Sequence, residues 1–222
     1  MKNFYRKFQT ISKFPLWPNY LRWVYKKTID DPVSLGIKPI SKRKEFSCLL
    51  CGVSGEITAE EYIKFVLKIN SEAKIMIIDI GEDQTGSVQK LVKEKFPKAN
   101  IIVKRANALD LSFIKDKSLD WIDTDGFFSF FDEKQLMDLF SEWKRMLKND
   151  GYITFRELVS SGFVSKTINI LRAKSSQVYM GIKLNLHSLN ELTKKFNTLG
   201  FKCSRGHSPI LFLDRYCLTN SP

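Results

Sequence analysis

The stretch CLLCGVSGEITAEEY, from Cys48 to Tyr62, joins an apolar run to a helical pattern through Gly52 and Gly55. Many nucleotide sites begin with a strand, a glycine turn and a helix, because the turn lets backbone N–H groups approach a ligand at the start of the helix. Two glycines alone are weak evidence. The meaning of this turn therefore depends on the residues that follow it.

Strand and helix patterns alternate along the rest of the chain. The predicted strands are EFSCLLCG, AKIMIIDI, ANIIVKRA, SLDWIDTD, GYITFRE, FKCSR and ILFLDRYCLTN, and the predicted helices are TAEEYIKFVLKI, SVQKLVKEKF, DEKQLMDLFSEWKRML and HSLNELTKKFNTLG. This alternation predicts an α/β fold with an open, mostly parallel, seven-stranded sheet and helices on both faces. The last two strands have no helix between them and are expected to be antiparallel neighbours at one end of the sheet.

Three local signals refine the helix predictions. Thr58 with Glu61, and Ser188 with Glu191, have the spacing of capping boxes, and Gly200 is expected to end its helix. In sheets of this class, ligands bind beyond the carboxyl ends of the strands, near the point where the strand order reverses. The loops GVSGE, DIGEDQ, NALDLSF and DTDGFFSF are therefore expected to carry the chemistry.

Length and composition exclude several classes of protein. The chain has 222 residues and is 43% apolar, which is enough for one domain with a packed core. We find neither a transmembrane stretch nor a secretory signal in the sequence, and expect a cytoplasmic protein. Cys48 and Cys51 have a C-x-x-C spacing, but residues three apart in a strand point to opposite faces, which favours buried thiols over a metal site.

The amino-terminal arm carries most of the charge. The net charge is +12, and residues 1–45 hold eleven Lys or Arg against three acids. Aromatic residues lie among these bases, and the combination suits nucleic acid, phosphate-bearing substrates or an acidic membrane surface. Helical spacing of Trp17, Leu21, Val24 and Tyr25 favours a simpler alternative for most of the rings, amphipathic helices that pack on the domain. We divide the chain into an arm or lid, residues 1–44, and a main domain, residues 45–222.

A resemblance emerges from six segments taken in order. LLCGVSGEI, IIDIGE, ANALDLSF, SLDWIDTDGFFSFF, MDLFSEWKRMLKNDGYITFRE and LHSLNELTKKFNTLGFK resemble the successive motifs of class I S-adenosylmethionine-dependent methyltransferases. The resemblance covers roughly residues 45–220 and implies a Rossmann-like fold with S-adenosylmethionine as the cofactor. None of the six motifs is specific alone, and their order at the ends of the right elements carries the inference.

The resemblance also implies the cofactor site. Asp79, at the end of the second strand, is placed to accept the ribose hydroxyls, with Ile80 against the adenine. Asn107 stands where the family usually has Asp beside the adenine amine, and an amide oxygen can accept from that amine. The remaining expected cofactor residues are Cys51, Gly52, Ser54, Gly55, Ala108, Asp125, Gly126 and Phe127, with Leu109, Leu111 and Phe113 on the apolar side.

The opening motif departs from the family pattern. Leu49 or Leu50 occupies the usual acidic position late in the first strand, and only Gly52 and Gly55 remain of three alternating glycines. Glu56 is either a shifted contact to the methionine ammonium group or an acid favourably placed near a helix amino terminus.

Methyl transfer from a sulfonium needs mainly alignment of the acceptor in a dry pocket, and a general base only if the acceptor arrives protonated. The weak candidates for a catalytic group are Asp125, His207 and Tyr20, whereas His187 directly precedes a helix and is expected to be structural. Asp125 could also ligate a metal, but supporting ligands are not identifiable, so no metal is predicted.

Three functional classes follow. The first, which we favour, is a methyltransferase for a small or medium-sized metabolite, in which residues 1 to about 40 cover the carboxyl ends of the strands. Trp17, Tyr20 and Trp23 would then form a wall, and nearby bases would favour an anionic acceptor. The second is an RNA methyltransferase that uses the arm as an electrostatic grip. The third is a non-catalytic member that has lost the cofactor.

Overall fold

The computed structural model describes residues 16–37, 43–160, 162–210 and 213–220. The strands are β1 (Ser47–Cys51), β2 (Lys74–Asp79), β3 (Ile101–Arg105), β4 (Leu119–Asp125), β5 (Leu147–Leu158), β6 (Phe201–Gly206) and β7 (Leu213–Asn220). The α-helices are α1 (Leu16–Ser34), α2 (Glu56–Ile69), α3 (Glu82–Lys95), α4 (Glu133–Met146), α5 (Phe163–Met180) and α6 (Leu189–Thr198). A short 3-10 turn, Phe128–Phe130, follows β4.

All seven strands form one sheet in the order β3-β2-β1-β4-β5-β7-β6. Neighbouring strands from β3 to β5 are parallel, and β7 runs antiparallel to both β5 and β6. This arrangement confirms the α/β class, the mostly parallel Rossmann-like sheet and the antiparallel strand near the carboxyl terminus. The chain proceeds outward from β1 to β3 and then returns to β4, so the strand order reverses between β1 and β4.

The sheet has a hydrophobic cluster on each face, which explains why its central strands are continuous apolar runs. Trp121 lies at the centre of the face that packs on α1 and α2, and Trp143 belongs to the face that packs on α4 and α6; both are fully buried. Cys48 belongs to the first cluster and Cys51 to the second, and both thiols are free. The C-x-x-C pair therefore points to opposite faces, as the strand geometry predicts.

Helix α1 is part of the core. Leu21, Val24 and Tyr25 are inaccessible to solvent, and the Tyr25 ring stacks on Phe65 of α2 with ring centroids 5.5 Å apart. Arg22, on the outer side, forms an ion pair with Glu61 of α2. The expectation that most of the rings pack on the domain holds for the described part of the arm, whereas Phe4, Tyr5, Phe8 and Phe14 lie outside the described residues.

One capping prediction is wrong and one is confirmed. Helix α2 begins at Glu56 with Gly55 as its N-cap, so Thr58 lies inside the helix and does not cap it. The reciprocal contact is also missing, because Glu61 accepts hydrogen bonds of 2.7 and 3.0 Å from Arg22 instead. Ser188 and Glu191 form the predicted box at the start of α6. Gly200 follows that helix with a left-handed φ of 68°.

Sequence reasoning assigns no element between β5 and α6, where the structure contains α5. We call residues 162–187 the excursion. Ser160 and Ser188 form a bridge at its base, where Ser160 N donates to His187 O (3.2 Å) and Leu189 N to Ser160 O (3.1 Å). The excursion therefore leaves and rejoins the fold at the same point, beyond the carboxyl end of β5. None of the helices in the described ranges combines the length and apolar character needed to cross a bilayer.

Candidate functional site

Asp79 joins the loops that follow the first two strands. Its Oδ2 accepts from Val53 N at 2.8 Å and its Oδ1 from Gly81 N at 2.7 Å. Its backbone oxygen accepts from Ala106 N at 3.0 Å, after β3. Although Asp79 is only 5% exposed, a carboxylate can take part in up to about four hydrogen bonds. Three of the loops that the topology singles out are thus held by one residue.

Gly52 is required by the approach of the loop after β4. It has a left-handed φ of 80°, and a Cβ at this position would lie 2.7 Å from the ring of Phe127. The Phe127 ring packs edge-on against Phe131, with centroids 4.9 Å apart. Gly126 also has a left-handed φ, 59°, and its N–H donates to Arg156 O at 2.8 Å. The β1 turn and the β4 loop are therefore in direct contact.

The rest of the glycine turn leads into α2. Cys51, the last residue of β1, accepts from Thr124 Oγ1 through its backbone oxygen at 2.6 Å. The hydroxyls of Ser54 and Thr58 are 3.0 Å apart, and Gly55 starts the helix in an extended conformation. The amino terminus of α2 therefore faces the carboxyl edge of the sheet, where its N–H groups favour electronegative atoms. Glu56 lies in its first turn and is exposed, which fits the helix-terminus interpretation of this acid.

The predicted adenine side lies beyond β2 and β3. Ile80, next to Asp79, is 45% exposed and offers an apolar surface. The Asn107 side chain is exposed, and its Oδ1 accepts from Leu109 N at 3.1 Å, so it shapes its own loop. Ala108 and Leu111 are buried beneath it. The Phe113 ring is partly exposed and lies 3.4 Å from Lys104 Nζ.

A buried charged cluster lies at the ends of β4 and β5. Asp125 is paired in register with Arg156, whose Nη2 is 3.4 Å from Asp125 Oδ2 and 3.0 Å from Asp123 Oδ2. Thr154 Oγ1 donates to Asp123 at 2.5 Å. The pKa of Asp125 is raised to about 6. Burial is the largest cause, Arg156 acts in the opposite direction, and the Asp123 charge adds to the rise. The pKa of Asp125 therefore lies above the ordinary range of an aspartate, and the group is mainly ionised at neutral pH.

Tyr20 of α1 reaches this cluster. Burial, and next the Asp125 carboxylate, raise the pKa of its hydroxyl above the usual range. The hydroxyl is buried, and the Ser208 hydroxyl next to it acts to lower the pKa through a hydrogen bond. Trp17 Nε1 lies 3.5 Å from Thr58 Oγ1 on α2, and the Trp23 ring lies 5.9 Å from Arg215 Cζ on β7. Of the three expected wall residues, Tyr20 is the one whose neighbours place it beside Asp125.

The two histidines have other roles in the structure. His187 is buried, and its Nε2 lies 3.1 Å from both Phe128 O and Phe131 O, so this nitrogen is the donor and the ring ties the excursion to the β4 loop. His207 lies on the β6–β7 hairpin, and its Nδ1 is 3.1 Å from Asp214 Oδ1. Its ring is almost fully exposed, which places it outside the buried cluster of Asp125.

Sequence reasoning missed Asp123, Arg156 and Glu157. Asp123 and Asp125 are two residues apart in a strand, which places them on one face, and FRE in GYITFRE puts two charges at the carboxyl end of an apolar strand. Those two signals could have identified the cluster. Glu157, on the other face of β5, accepts from Phe128 N at 2.7 Å, and burial raises its pKa to about 7. Within the described residues, no group of three or more His, Cys, Asp or Glu side chains could hold a metal.

Comparison with known proteins agrees with this geometry. Residues 52–155 match a family model described as a methyltransferase domain. The matched region, just under half of the chain, is a methyltransferase domain and supports a place among the class I S-adenosylmethionine-dependent methyltransferases. The methyl donor of this class is S-adenosylmethionine. No curated protein matches the sequence of this methyltransferase at a significant level.

Solved structures share the fold at low sequence identity. A SAM-dependent methyltransferase from Aquifex aeolicus is 14% identical, with a TM-score of 0.60 over 96% of each chain. A SAM-dependent methyltransferase from Methanosarcina mazei is 13% identical, with a TM-score of 0.61 over 86% of this chain and 98% of the other. Magnesium protoporphyrin IX methyltransferase from Synechocystis, with bound SAH, is 13% identical, with a TM-score of 0.62 over 90% and 83%.

The residues of this methyltransferase fit the nucleoside part of the donor. The required glycine at position 52 keeps the turn clear of a side chain, and the two backbone N–H bonds fix the Asp79 carboxylate at the point where a ribose would meet it. Exposed Ile80 lies next to it and fits one face of the adenine. Leu49 and Leu50, which stand at the usual acidic position in β1, are buried in the two hydrophobic clusters.

Proposed function

We propose that this methyltransferase acts on a small or medium-sized metabolite that binds between α1 and the ends of β4 and β5. In this proposal the donor is held by the turn after β1, by the ends of β2 and β3, and by the loop after β4. The residues assigned to it are Cys51, Gly52, Ser54, Gly55, Asp79, Ile80, Asn107, Ala108, Asp125, Gly126 and Phe127.

The observation that carries the acceptor site is the Tyr20 hydroxyl beside Asp125. This hydroxyl is buried between Ser208 and Asp125, where a ligand with a polar group could hydrogen-bond to it. Arg156 Nε is also buried and has no hydrogen-bond partner within the described ranges. This second polar atom is a buried N–H donor, so it favours an acceptor that carries a hydrogen-bond-accepting oxygen or nitrogen.

S-adenosylmethionine supplies a methyl group that is already activated, so the protein has to align the acceptor and exclude water. Tyr20 closes one side of the site as part of a buried helix face, and Phe127 closes another. Asp125 takes the acceptor proton on its carboxylate when the acceptor arrives protonated, since a pKa of about 6 leaves it ionised at neutral pH. Arg156 holds the carboxylate in place and stabilises its charge.

Two observations favour a metabolite over RNA. Arg22 forms an ion pair with Glu61, and Lys27 Nζ lies 3.8 Å from Asp30 Oδ2. Part of the positive charge on α1 is therefore neutralised by acidic residues of the protein. The Synechocystis relative is named for a small-molecule acceptor, magnesium protoporphyrin IX.

Four free cysteines fit a reducing compartment, and we place the enzyme in the cytoplasm.

Removal of residues 1–28 would be a poor test, because it deletes Leu21, Val24 and Tyr25 from the core. Tyr20→Phe is sharper, with Tyr62→Phe as the matched control. Tyr62 is also a buried tyrosine, but it packs on Trp121 and its hydroxyl lies beside the Cys48 thiol. Both variants are titrated with S-adenosylhomocysteine in a calorimeter and assayed for transfer of labelled methyl groups to a metabolite extract.

We expect Tyr20→Phe to bind S-adenosylhomocysteine as the parent does and to lose about tenfold in kcat/KM, the effect of one hydrogen bond to the acceptor. Tyr62→Phe should match the parent in both assays. Equal activity of the two variants would remove Tyr20 from the acceptor site. Methyl transfer to RNA, with none to any metabolite fraction, would replace the proposal with its RNA alternative.

A further inference from the structure

Positive charge is concentrated in two acid-free stretches of the chain. Residues 1–29 contain seven Lys or Arg and no Asp or Glu, and residues 158–190 contain four Lys or Arg and no Asp or Glu. Together they account for eleven of the twelve net positive charges, although they make up little more than a quarter of the chain. The rest of the protein is almost neutral, so the charge is a property of these two stretches.

The second stretch contains α5, a helix in which polar residues face the domain and large apolar residues face solvent. Its inward face carries the polar residues Ser165 and Asn169, which are 4% and 2% exposed. Phe163 and Val178 are 85% and 77% exposed, and Leu171 is 59% exposed. The spacing of these three apolar residues places them on one helix face, with Lys174 between them. A folded protein that is stable alone ordinarily turns such a stripe toward its core.

The second stretch and the described part of the first, which begins at Leu16, reach the same edge of the sheet. The excursion that contains α5 leaves and rejoins the fold next to the end of β5, at Ser160 and Ser188. Asn185 N donates to Ser129 O at 2.8 Å, which holds its return against the β4 loop. The described end of the first stretch places Tyr20 beside Asp125 at the end of β4. The base of the excursion and the described start of α1 therefore border the mouth of the proposed acceptor site.

We infer that this border is a surface for anionic lipid, which seats the methyltransferase on a membrane with its acceptor site facing the bilayer. A helix with exposed Phe, Leu and Val, with lysines and with no acids, has the composition that binds at the interface of a negatively charged bilayer. Such binding needs no membrane-spanning helix. The acceptor class that fits this placement is an amphiphilic metabolite that resides in the bilayer.

The composition of α5 disfavours the other occupants of this surface. RNA is bound through phosphates and through stacking on aromatic rings. Helix α5 exposes Phe163 and Tyr179, but most of its exposed apolar residues, Val164, Leu171 and Val178 among them, cannot stack on bases. The arm of this chain is itself cationic, as is a second copy of α5, so like charges oppose both. An anionic lipid surface satisfies the charge and the apolar stripe together.

The test uses the whole chain and sedimentation with two kinds of vesicles, phosphatidylcholine alone and phosphatidylcholine with phosphatidylglycerol. We expect binding to the anionic vesicles, weakened by salt, and much weaker binding to the neutral ones. The double variants Leu171→Asp with Val178→Asp, and Lys166→Glu with Lys174→Glu, should each weaken binding by at least about tenfold.

Matched controls change the same chemistry elsewhere. Lys68→Glu with Lys202→Glu reverses two exposed lysines at the opposite edge of the sheet, and Ile102→Asp alters an exposed apolar residue on β3. Both should bind vesicles within about twofold of the parent. Melting curves and S-adenosylhomocysteine titration confirm that each variant is folded.

Three results would overturn the inference. The first is equal binding to neutral and anionic vesicles, or α5 variants that bind as the controls do. The second is single-stranded RNA bound more tightly than vesicles and unaffected by the Leu171 and Val178 changes. The third is a dimer in sedimentation velocity that those two changes dissociate, with no vesicle binding. Failure of methyl transfer in the Tyr20→Phe comparison concerns the acceptor site and leaves the lipid measurement independent.

Discussion

The core strands and the excursion use apolar side chains in opposite ways. In β1 and β4, residues such as Leu49, Leu50 and Trp121 are completely buried. In α5, large apolar residues face water while Ser165 and Asn169 face the domain. Burial of apolar surface drives folding, so the first region is specified by stability. The second region contributes little of that energy, which indicates that its composition serves binding.

The contrast between the core strands and the excursion is tested most strongly by disturbing the buried charges between β4 and β5. Arg156→Ala leaves Asp123 buried without its cation, and we expect the free energy of unfolding to fall by about 3–5 kcal/mol. Urea unfolding followed by circular dichroism measures it. Arg205→Ala removes a pair with Asp214 on the partly exposed hairpin and should cost less than about 1 kcal/mol. Similar losses in the two variants would mean that the cluster is hydrated.

The next effect concerns pH and activity. Asp125→Asn should lower kcat/KM about 100-fold if the acceptor is protonated. In the parent enzyme, kcat/KM should rise with pH through a limb near 6, because Asp125 must lose its proton to act as a base. The variant should lack this limb, and S-adenosylhomocysteine titration measures how much of the loss arises in the donor site, to which Asp125 is also assigned. A limb that persists in Asp125→Asn would assign the titration to another group.

Cofactor binding tests the loops at the carboxyl edge. Asp79→Ala removes the anchor of the turns after β1 and β2, together with the proposed ribose acceptor. We expect S-adenosylhomocysteine to bind about 2 kcal/mol more weakly in calorimetry. Asp79→Asn keeps one acceptor oxygen and should fall between the parent and Ala. Unchanged affinity in both variants would place the ribose elsewhere.

The smallest effect is expected in the excursion. Leu171→Ala should change the free energy of unfolding by less than about 0.5 kcal/mol, because its side chain is exposed. Leu21→Ala makes the same chemical change in a buried position of α1 and should cost about 2–5 kcal/mol. Thermal and urea unfolding of the pair measure the contrast between the regions directly. A large cost for Leu171→Ala would show that α5 is packed against part of the protein.

Hydrophobic periodicity explains which elements could be predicted from sequence. Strands buried on both faces and helices with one apolar stripe, such as α4, follow the rules that link pattern to burial. Helix α5 breaks those rules because its inward face is polar, and the sequence shows no inward stripe. The start of α2 was misplaced because Arg22, from a distant helix, takes the carboxylate that a local capping box would use. Long-range pairs of this kind have no local signal.

Part of the candidate site could also be predicted from the sequence. The strand ends bring Gly52, Asp79 and Phe127 together, as the topology rule for parallel sheets implies. The contribution of Arg156 was not predicted, because its partners lie on a different strand and its charge is neutralised only in the folded state. The boundary between an arm, residues 1–44, and a domain, residues 45–222, stays a prediction.

The bridge between Ser160 and Ser188 has a consequence for protein engineering. Because both ends of the excursion meet at one point, the sheet does not depend on how long the intervening segment is, and the entropy of closing a loop grows only slowly with its length. The segment can therefore be exchanged as a cassette, cut at these two serines, without altering strand register, when the replacement keeps the contacts of His187 and Asn185 with the β4 loop. Transplanting this segment onto another protein of the same fold would transfer the proposed preference for anionic lipid surfaces and would leave the active site of the recipient protein unchanged.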